Sequence, residues 1–144
     1  MRVHQILNSK SDDGVVTIKP GTSVESAAQL LAEKRIGAVI VSDDGEVAIG
    51  ILSERDVVRE LGKRGASCMS DMVDDLMTAD PISCTMNEDS SEVFQKMTEG
   101  RFRHLPVIED GKMVGLISIG DVVKAQLSTL SMEKDALQGM IMGY

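Results

Sequence analysis

Tryptophan is absent from this sequence, tyrosine occurs once and phenylalanine twice. A core organised around large rings is therefore excluded, and the interior must be built from Val, Ile, Leu, Ala and the ten Met. Cysteine is almost as scarce. Cys68 and Cys84 lack metal-site spacing, and no second pair completes a zinc site. They read as free, partly buried thiols, which suit a reducing compartment such as the cytoplasm. Basic residues are outnumbered, 15 against 23 acidic, for a net charge of -8. That excess disfavours binding a long polyanion through bulk electrostatics, so nucleic acid is an unexpected partner; a local basic pocket for one small anion is compatible with it. Long apolar runs are missing too. The stretches at 38–41 and 47–52 are far short of a membrane span. The opening MRVHQILNSKSDDG has no apolar core of a secretory signal, and the expectation is a cytoplasmic protein.

What is present is globular: 144 residues, 42% hydrophobic and 26% charged, enough for one domain or two half-domains sharing a core. An internal repeat organises it. SDDGEVAIGILSERDVV faces IEDGKMVGLISIGDVV, so that Gly50, Ser53 and Asp56 recur 65 residues later as Gly115, Ser118 and Asp121. Upstream the offset is 66, from Gly45 to Gly111, which gives the first hairpin one extra residue.

Each copy has one grammar. A short strand (15–18, 83–85) precedes a helix. In the first copy Thr22 and Glu25 have capping-box spacing and Val24, Ala27, Ala28 and Leu31 share a face; in the second Asp89 caps, with Val93, Phe94 and Met97 behind it. Gly37 and Gly100 mark the expected helix ends. Two strands follow, 38–42 with 48–52 and 104–108 with 113–118, turned by Asp44-Gly45 and Asp110-Gly111. A second helix begins near Glu54 and Ile119. One copy of about 50 residues has little core of its own, whereas two can bury their sheets against each other. The expected organisation is repeat 1 at 1–65, a helical connector at 66–80, repeat 2 at 81–128 and an amphipathic helical tail at 129–144, packed on the body or on a second subunit.

The chemistry sits where each last strand ends. Gly-apolar-apolar-Ser-x-x-Asp places Ser53 or Ser118 before a helix and Asp56 or Asp121 in its first turn. Unsatisfied N–H groups and the helix dipole favour an anion there. The hydroxyl can meet a phosphate or a ribose, and the carboxylate can accept from both hydroxyls of a ribose. A cleft between strand ends and a helix start suits a nucleoside monophosphate. The alternative is plain helix capping, in which Ser and Asp satisfy the helix's own N–H groups. Both readings stand, although the duplicated context argues for more than a cap.

On these residues the chain resembles the CBS (cystathionine-β-synthase) domain family, as a tandem pair over about residues 3–126. RFRHLPV at 101–107 is similar to the family's second-repeat strand and VDDLMT at 73–78 to its usual lead-in. The resemblance implies an α/β fold, more closely α+β: two β-α-β-β-α repeats packed pseudo-symmetrically through their sheets, with a C-terminal helix added. It implies AMP, ADP, ATP, NAD(H) or S-adenosylmethionine in two clefts between the repeats. Asp56 and Asp121 would hold the ribose, and Ser53 and Ser118 would lie near ribose or phosphate. Ile18, Ala38 and Ile40 would flank adenine in one cleft, and Thr85, Leu105 and Pro106 in the other, giving apolar walls with a few polar anchors. A disk-like homodimer is also implied.

Arg55, Arg103 and His104 are the candidate phosphate contacts, since a guanidinium fork matches phosphate oxygens. Each has a plain alternative: an exposed helix cation for Arg55, a surface ion pair for Arg103, a half-buried structural histidine for His104. His4 reads as a solvated terminal residue. Glu54-Arg55 stands between Ser and Asp in repeat 1, but Ile119-Gly120 does so in repeat 2, which puts Gly120 among the ligand-binding candidates. Arg103-His104 likewise matches Gly37-Ala38. The cations are thus divided, and the two clefts are expected to be unequal, in phosphate length, affinity or occupancy.

Three functions compete: a nucleotide-sensing regulatory module acting through a partner or a dimer rearrangement; an enzyme; a ligand-free dimeric scaffold. An enzyme would need Asp56 and Asp121 as paired carboxylates, or a cysteine beside His104. Nothing in the sequence assembles either, so no catalytic residue, catalytic cofactor or metal is expected. The sensing module, with AMP or another adenylate as ligand, is the reading carried forward, and the scaffold is its alternative.

Overall fold

The computed structural model describes residues 1–10 and 14–142; residues 11–13 and the last two of the tail, 143–144, lie outside the description. The elements run α1 (Val3–Ser9), β1 (Thr17–Ile18), α2 (Val24–Lys34), β2 (Ala38–Val41), β3 (Gly50–Ser53), α3 (Glu54–Arg64), a 3-10 turn (Gly65–Ser70), α4 (Val73–Leu76), β4 (Thr78–Ala79), α5 (Ser90–Gly100), β5 (His104–Glu109), β6 (Lys112–Ser118) and α6 (Ile119–Met142). The α/β architecture and the duplicated unit are as expected.

In the first half β1 runs parallel to β2, β2 antiparallel to β3, and β3 antiparallel to β4. In the second half β5 and β6 form an antiparallel hairpin whose Asp110-Gly111 turn has positive φ at both residues, 52° and 77°, the conformation a two-residue hairpin requires. The strand expected at 83–85 contracts to one bridge, Cys84 to Val107. Proline explains the loss. Ile40 N–H donates to Val16 O at 3.1 Å, but its counterpart 66 residues on is Pro106, which has no N–H to give.

Three expectations shift on inspection. The cap of α2 is Ser23, whose Oγ accepts from Ser26 N, whereas Thr22 Oγ1 donates to Lys19 O; Asp89 caps α5 as expected. Helix ends are closed not by Gly37 and Gly100 but by Arg35 and Arg101, both left-handed, with φ 54° and 58°. The two glycines instead make room: a Cβ on Gly37 would lie 3.1 Å from the His104 ring, and one on Gly100 would lie 2.1 Å from the Phe102 ring. The first hairpin is also wider than a two-residue turn. β3 starts at Gly50, and the Asp44 carboxylate ties the loop by accepting from the N–H groups of Glu46 and Val47.

Two cores form, and each borrows from the other repeat. Val24, Ala27, Leu31, Val39, Val41, Leu52 and Val57 pack with Val73 of α4, which precedes repeat 2. Cys84, Val93, Met97, Leu105, Val107, Ile117, Val122 and Ala125 pack with Val3 and Ile6 of α1, which precedes repeat 1. The same pair of backbone bonds secures both exchanges. Val24 N donates to Asp71 O and Val73 N to Thr22 O; Ser90 N donates to Met1 O and Val3 N to Glu88 O. Strand glycines receive the borrowed helices, since a Cβ on Gly50 would sit 2.2 Å from Met77 Sδ and one on Gly115 2.7 Å from Leu7 Cδ1. Sequence boundaries and packing boundaries therefore differ by one leader segment per repeat.

Alternation along the strands sorts the remaining positions. Val39 and Val41 face α2, which turns Ala38 and Ile40, also buried, to the opposite face of the sheet; His104 and Pro106 are their counterparts in repeat 2.

Candidate functional site

Two clefts open at the ends of the paired strands. The wide one, about 590 Å³, is lined by Lys10, Gly14, Val15, Val16, Lys34, Ile36, Gly37, Ala38, His104, Leu116 and Ser118. The narrow one, about 200 Å³, is lined by Gly37, Ile51, Ser53, Glu54, Arg55, Asp56, Arg59, Thr78, Gly100, Arg101, Phe102, Arg103 and His104. Gly37 and His104 border both, so the clefts lie back to back across the repeat junction.

At each cleft a strand ends in Ser and a helix begins. In the narrow cleft the Asp56 carboxylate accepts from Ser53 N (2.9 Å) and Ser53 Oγ (3.0 Å), and Asp56 N donates to Ser53 Oγ (3.3 Å). Beside the wide cleft Asp121 Oδ2 accepts from Ser118 N (2.9 Å), and Asp121 N donates to Ser118 Oγ (3.1 Å). These are reciprocal capping boxes. Each helix start is also tied to the first residues of its hairpin, Glu54 N to Gly37 O and Ile119 N to Arg103 O. Capping and ligand binding are compatible here, because capping fixes the carboxylate at the cleft mouth.

Their electrostatics differ. Among the described residues Asp56 makes one ion pair, with Arg59 Nη1 at 3.3 Å on the same helix, mostly exposed. Asp121 receives Lys10 Nζ at 2.9 Å from the end of α1. Burial pushes the Asp121 carboxyl up, but the Ser118 N–H and the Lys10 ammonium outweigh it and leave it below the usual carboxylate range. Burial lowers the His104 pKa against the pull of Asp121 and Glu54, so its imidazole is neutral at pH 7 and offers one N–H. Among the described residues the guanidinium groups of Arg55, Arg101 and Arg103 make no ion pair, which leaves three cations around the narrow cleft.

The structure gathers many of the residues proposed from sequence. Ser53, Arg55, Asp56, Arg103 and His104 line the narrow cleft, and Ala38, His104 and Ser118 the wide one, with Asp121 adjoining it through Lys10. Others lie elsewhere. Leu105 points to the helix side and is sealed in the second core at 1% exposure. Ile40 is wholly buried and Ile18 packs against the first core; the parallel register of β1 on β2 brings Val16 to the wall instead. Thr85 is exposed, with its N–H donating to Glu88. Pro106 borders a separate hollow with Val47, Ala48 and Pro81, and Gly120 lines neither cleft. Sequence reasoning missed Lys10, Lys34, Val16 and Ile36 on one side and Arg59, Thr78, Arg101 and Phe102 on the other. Only the 66-residue offset of Ile36 to Phe102 and Arg35 to Arg101 signalled any of these.

Both thiols are free and buried. Burial first, then Glu88, pushes the Cys84 thiol up to about 12, so it carries no thiolate at neutral pH. Among the described residues no helix is long and apolar enough to cross a membrane.

Comparison with known proteins identifies the family and the fold. The sequence model of the CBS domain matches twice, at residues 6–63 and 73–128. The CBS-domain-containing protein CBSCBSPB2 of Arabidopsis thaliana is 35% identical over 125 residues; these are 86% of this chain but 23% of that protein, so the chain spans under a quarter of this relative. The CBS-domain-containing protein ATU1752 of Agrobacterium tumefaciens is 42% identical with a TM-score of 0.82, covering 88% of this chain and 99% of that one. CBSX2, solved in complex with AMP, is 32% identical with a TM-score of 0.72, covering 89% and 97%. With both repeats matched and the strand–helix unit present twice, the chain belongs to the CBS-domain family as a tandem pair.

Proposed function

We propose that the protein is a regulatory module that binds an adenine nucleotide, with the wide cleft as its principal site. The observation that carries this reading is the duplicated carboxylate at a helix start, set at the mouth of a cleft between repeats. Val15, Val16, Ile36, Ala38 and Leu116 supply apolar walls for a base, and Asp121 an acceptor for the ribose hydroxyls. A pocket holding a small organic ligand commonly has about 300–1,000 Å³, which the wide cleft meets and the narrow one does not. CBSX2, a relative above 30% identity, is described in complex with AMP. Arg55, Arg101 and Arg103 give the narrow cleft affinity for a phosphate chain without room for a base beside it. The paired carboxylates cap helices and the buried Cys84 thiol stays protonated, so the site reads as binding, not catalysis.

Isothermal titration with AMP, ATP, NADH and S-adenosylmethionine tests the reading; AMP is expected to bind, to one cleft first. No heat and no thermal shift with any of the four rejects it. Output then passes through a partner protein or a second copy of the chain, in the cytoplasm that reduced thiols suit. α6 supplies the surface for a copy: Leu127, Leu130, Leu137 and Ile141 are 62%, 59%, 60% and 83% exposed. Removing residues 132–144 is expected to shift the solution mass toward monomer. A dimer that binds no adenylate would instead favour the scaffold.

A further inference from the structure

We propose that His104 couples the two clefts through a proton, its ring becoming a double donor when both clefts hold a phosphate. This inference rests on the adenylate reading above and assigns the regulation of that site.

His104 is placed by the sheet, not by a loop. It opens β5 opposite Ser118 of β6, and it borders the wide cleft and the narrow one. Gly37 makes this position possible, since a Cβ there would meet the ring at 3.1 Å. That same Cβ would lie 3.8 Å from Glu54 Oε1, so a carboxylate of the narrow cleft shares the spot with the imidazole. The charges that act on the ring come from both sides: Asp121 of α6, Glu54 of α3, Lys10 after α1 and Arg103 before β5. The residue is half-buried, and among the described residues its ring makes no hydrogen bond. Both ring nitrogens are therefore open to what enters the clefts.

A neutral imidazole has one N–H and one lone pair. It can donate to a phosphate in one cleft only; the other nitrogen offers a lone pair, which repels an anion. One proton from solvent fills that lone pair, and the imidazolium then donates at both nitrogens. Burial opposes this charge while the clefts are empty, and each phosphate that enters favours it. The first anion thus prepares the ring for the second. Binding at one cleft strengthens binding at the other, and the coupling is reciprocal. It weakens as pH rises, because the proton is harder to recruit.

The test is AMP titration with and without saturating pyrophosphate, the probe for the narrow cleft, at about pH 6.5 and about pH 8. Buffers of different ionisation enthalpy count the protons taken up. In wild type pyrophosphate is expected to tighten AMP about threefold at the lower pH and less than about 1.5-fold at the higher, with proton uptake at the lower. His104→Gln, which cannot be charged, is expected to lose both the pH-dependent tightening and the extra uptake. The ligands titrate alike in both proteins and cancel in the difference. Should His104→Gln fail to fold, His104→Asn gives the same readout. Wild type that binds the two compounds independently, competitively or without proton uptake overturns the coupling. Uptake that persists in the variant does the same. AMP binding with no pyrophosphate binding overturns it too and leaves the adenylate reading standing. Wild type that binds neither compound overturns that reading and this inference with it.

Discussion

The wide and narrow clefts are built by the same Ser-x-x-Asp helix start, yet they are chemically different places. The wide cleft has apolar walls and a carboxylate already neutralised by Lys10; the narrow one has three unpaired arginines and an aromatic ring, Phe102, where its counterpart has Ile36. The divergence sits in the end of each first helix with the start of the following strand, in the pair of residues between Ser and Asp, and in Lys10 on the leader segment. Both copies keep the frame, and those few positions make the clefts chemically unequal.

The comparison can be broken most severely at residues that belong to the frame. Leu105→Ala empties a sealed position of the second core and is expected to cost about 2–5 kcal/mol in urea unfolding. AMP affinity of the folded fraction should stay within about twofold. A large loss of affinity at full stability would return Leu105 to the binding wall. Next come the carboxylates. Asp121→Ala removes the acceptor proposed for the ribose hydroxyls and is expected to weaken AMP about 100-fold in titration, against threefold or less for Asp56→Ala. The reverse order would make the narrow cleft the principal site. Gly50→Ala forces Met77 off its strand and is expected to cost about 1–3 kcal/mol in thermal unfolding, more than Gly115→Ala, whose Cβ meets Leu7 less closely.

The smallest effect concerns His104, the residue between the clefts. Its folded pKa lies below the ordinary 6.5, so on acidification the unfolded chain takes up the proton first. Stability is therefore full above about pH 6.5 and declines below it, by no more than about 1.4 kcal/mol per pH unit. His104→Gln should flatten a denaturation series between pH 7 and 5. An unchanged slope would locate the acid sensitivity elsewhere.

Much of this was legible in the residues. The 65- and 66-residue offsets gave the duplicated unit, the helix order and the Ser-x-x-Asp sites, because each rests on local capping and hairpin chemistry. What escaped needed spatial information. Leu105 and Ile18 were assigned to walls through family resemblance, but strand alternation turns the first inward, and the parallel register of β1 on β2 replaces the second with Val16. Lys10 was invisible because its partner lies 111 residues away. Gly37 and Gly100 were recognised as special for the wrong reason: Arg35 and Arg101 take the left-handed caps, and the glycines admit His104 and Phe102.

The exchange of leader helices sets an order on how the chain matures at the ribosome. The first core stays open until Val73 and Met77 emerge, and α1, made first, waits for Ala125 before its seat is complete. A cut between the sequence repeats therefore leaves each core without its leader: the first needs the chain to run on through Val73 and Met77, and the second needs Val3 and Ile6 from the other end.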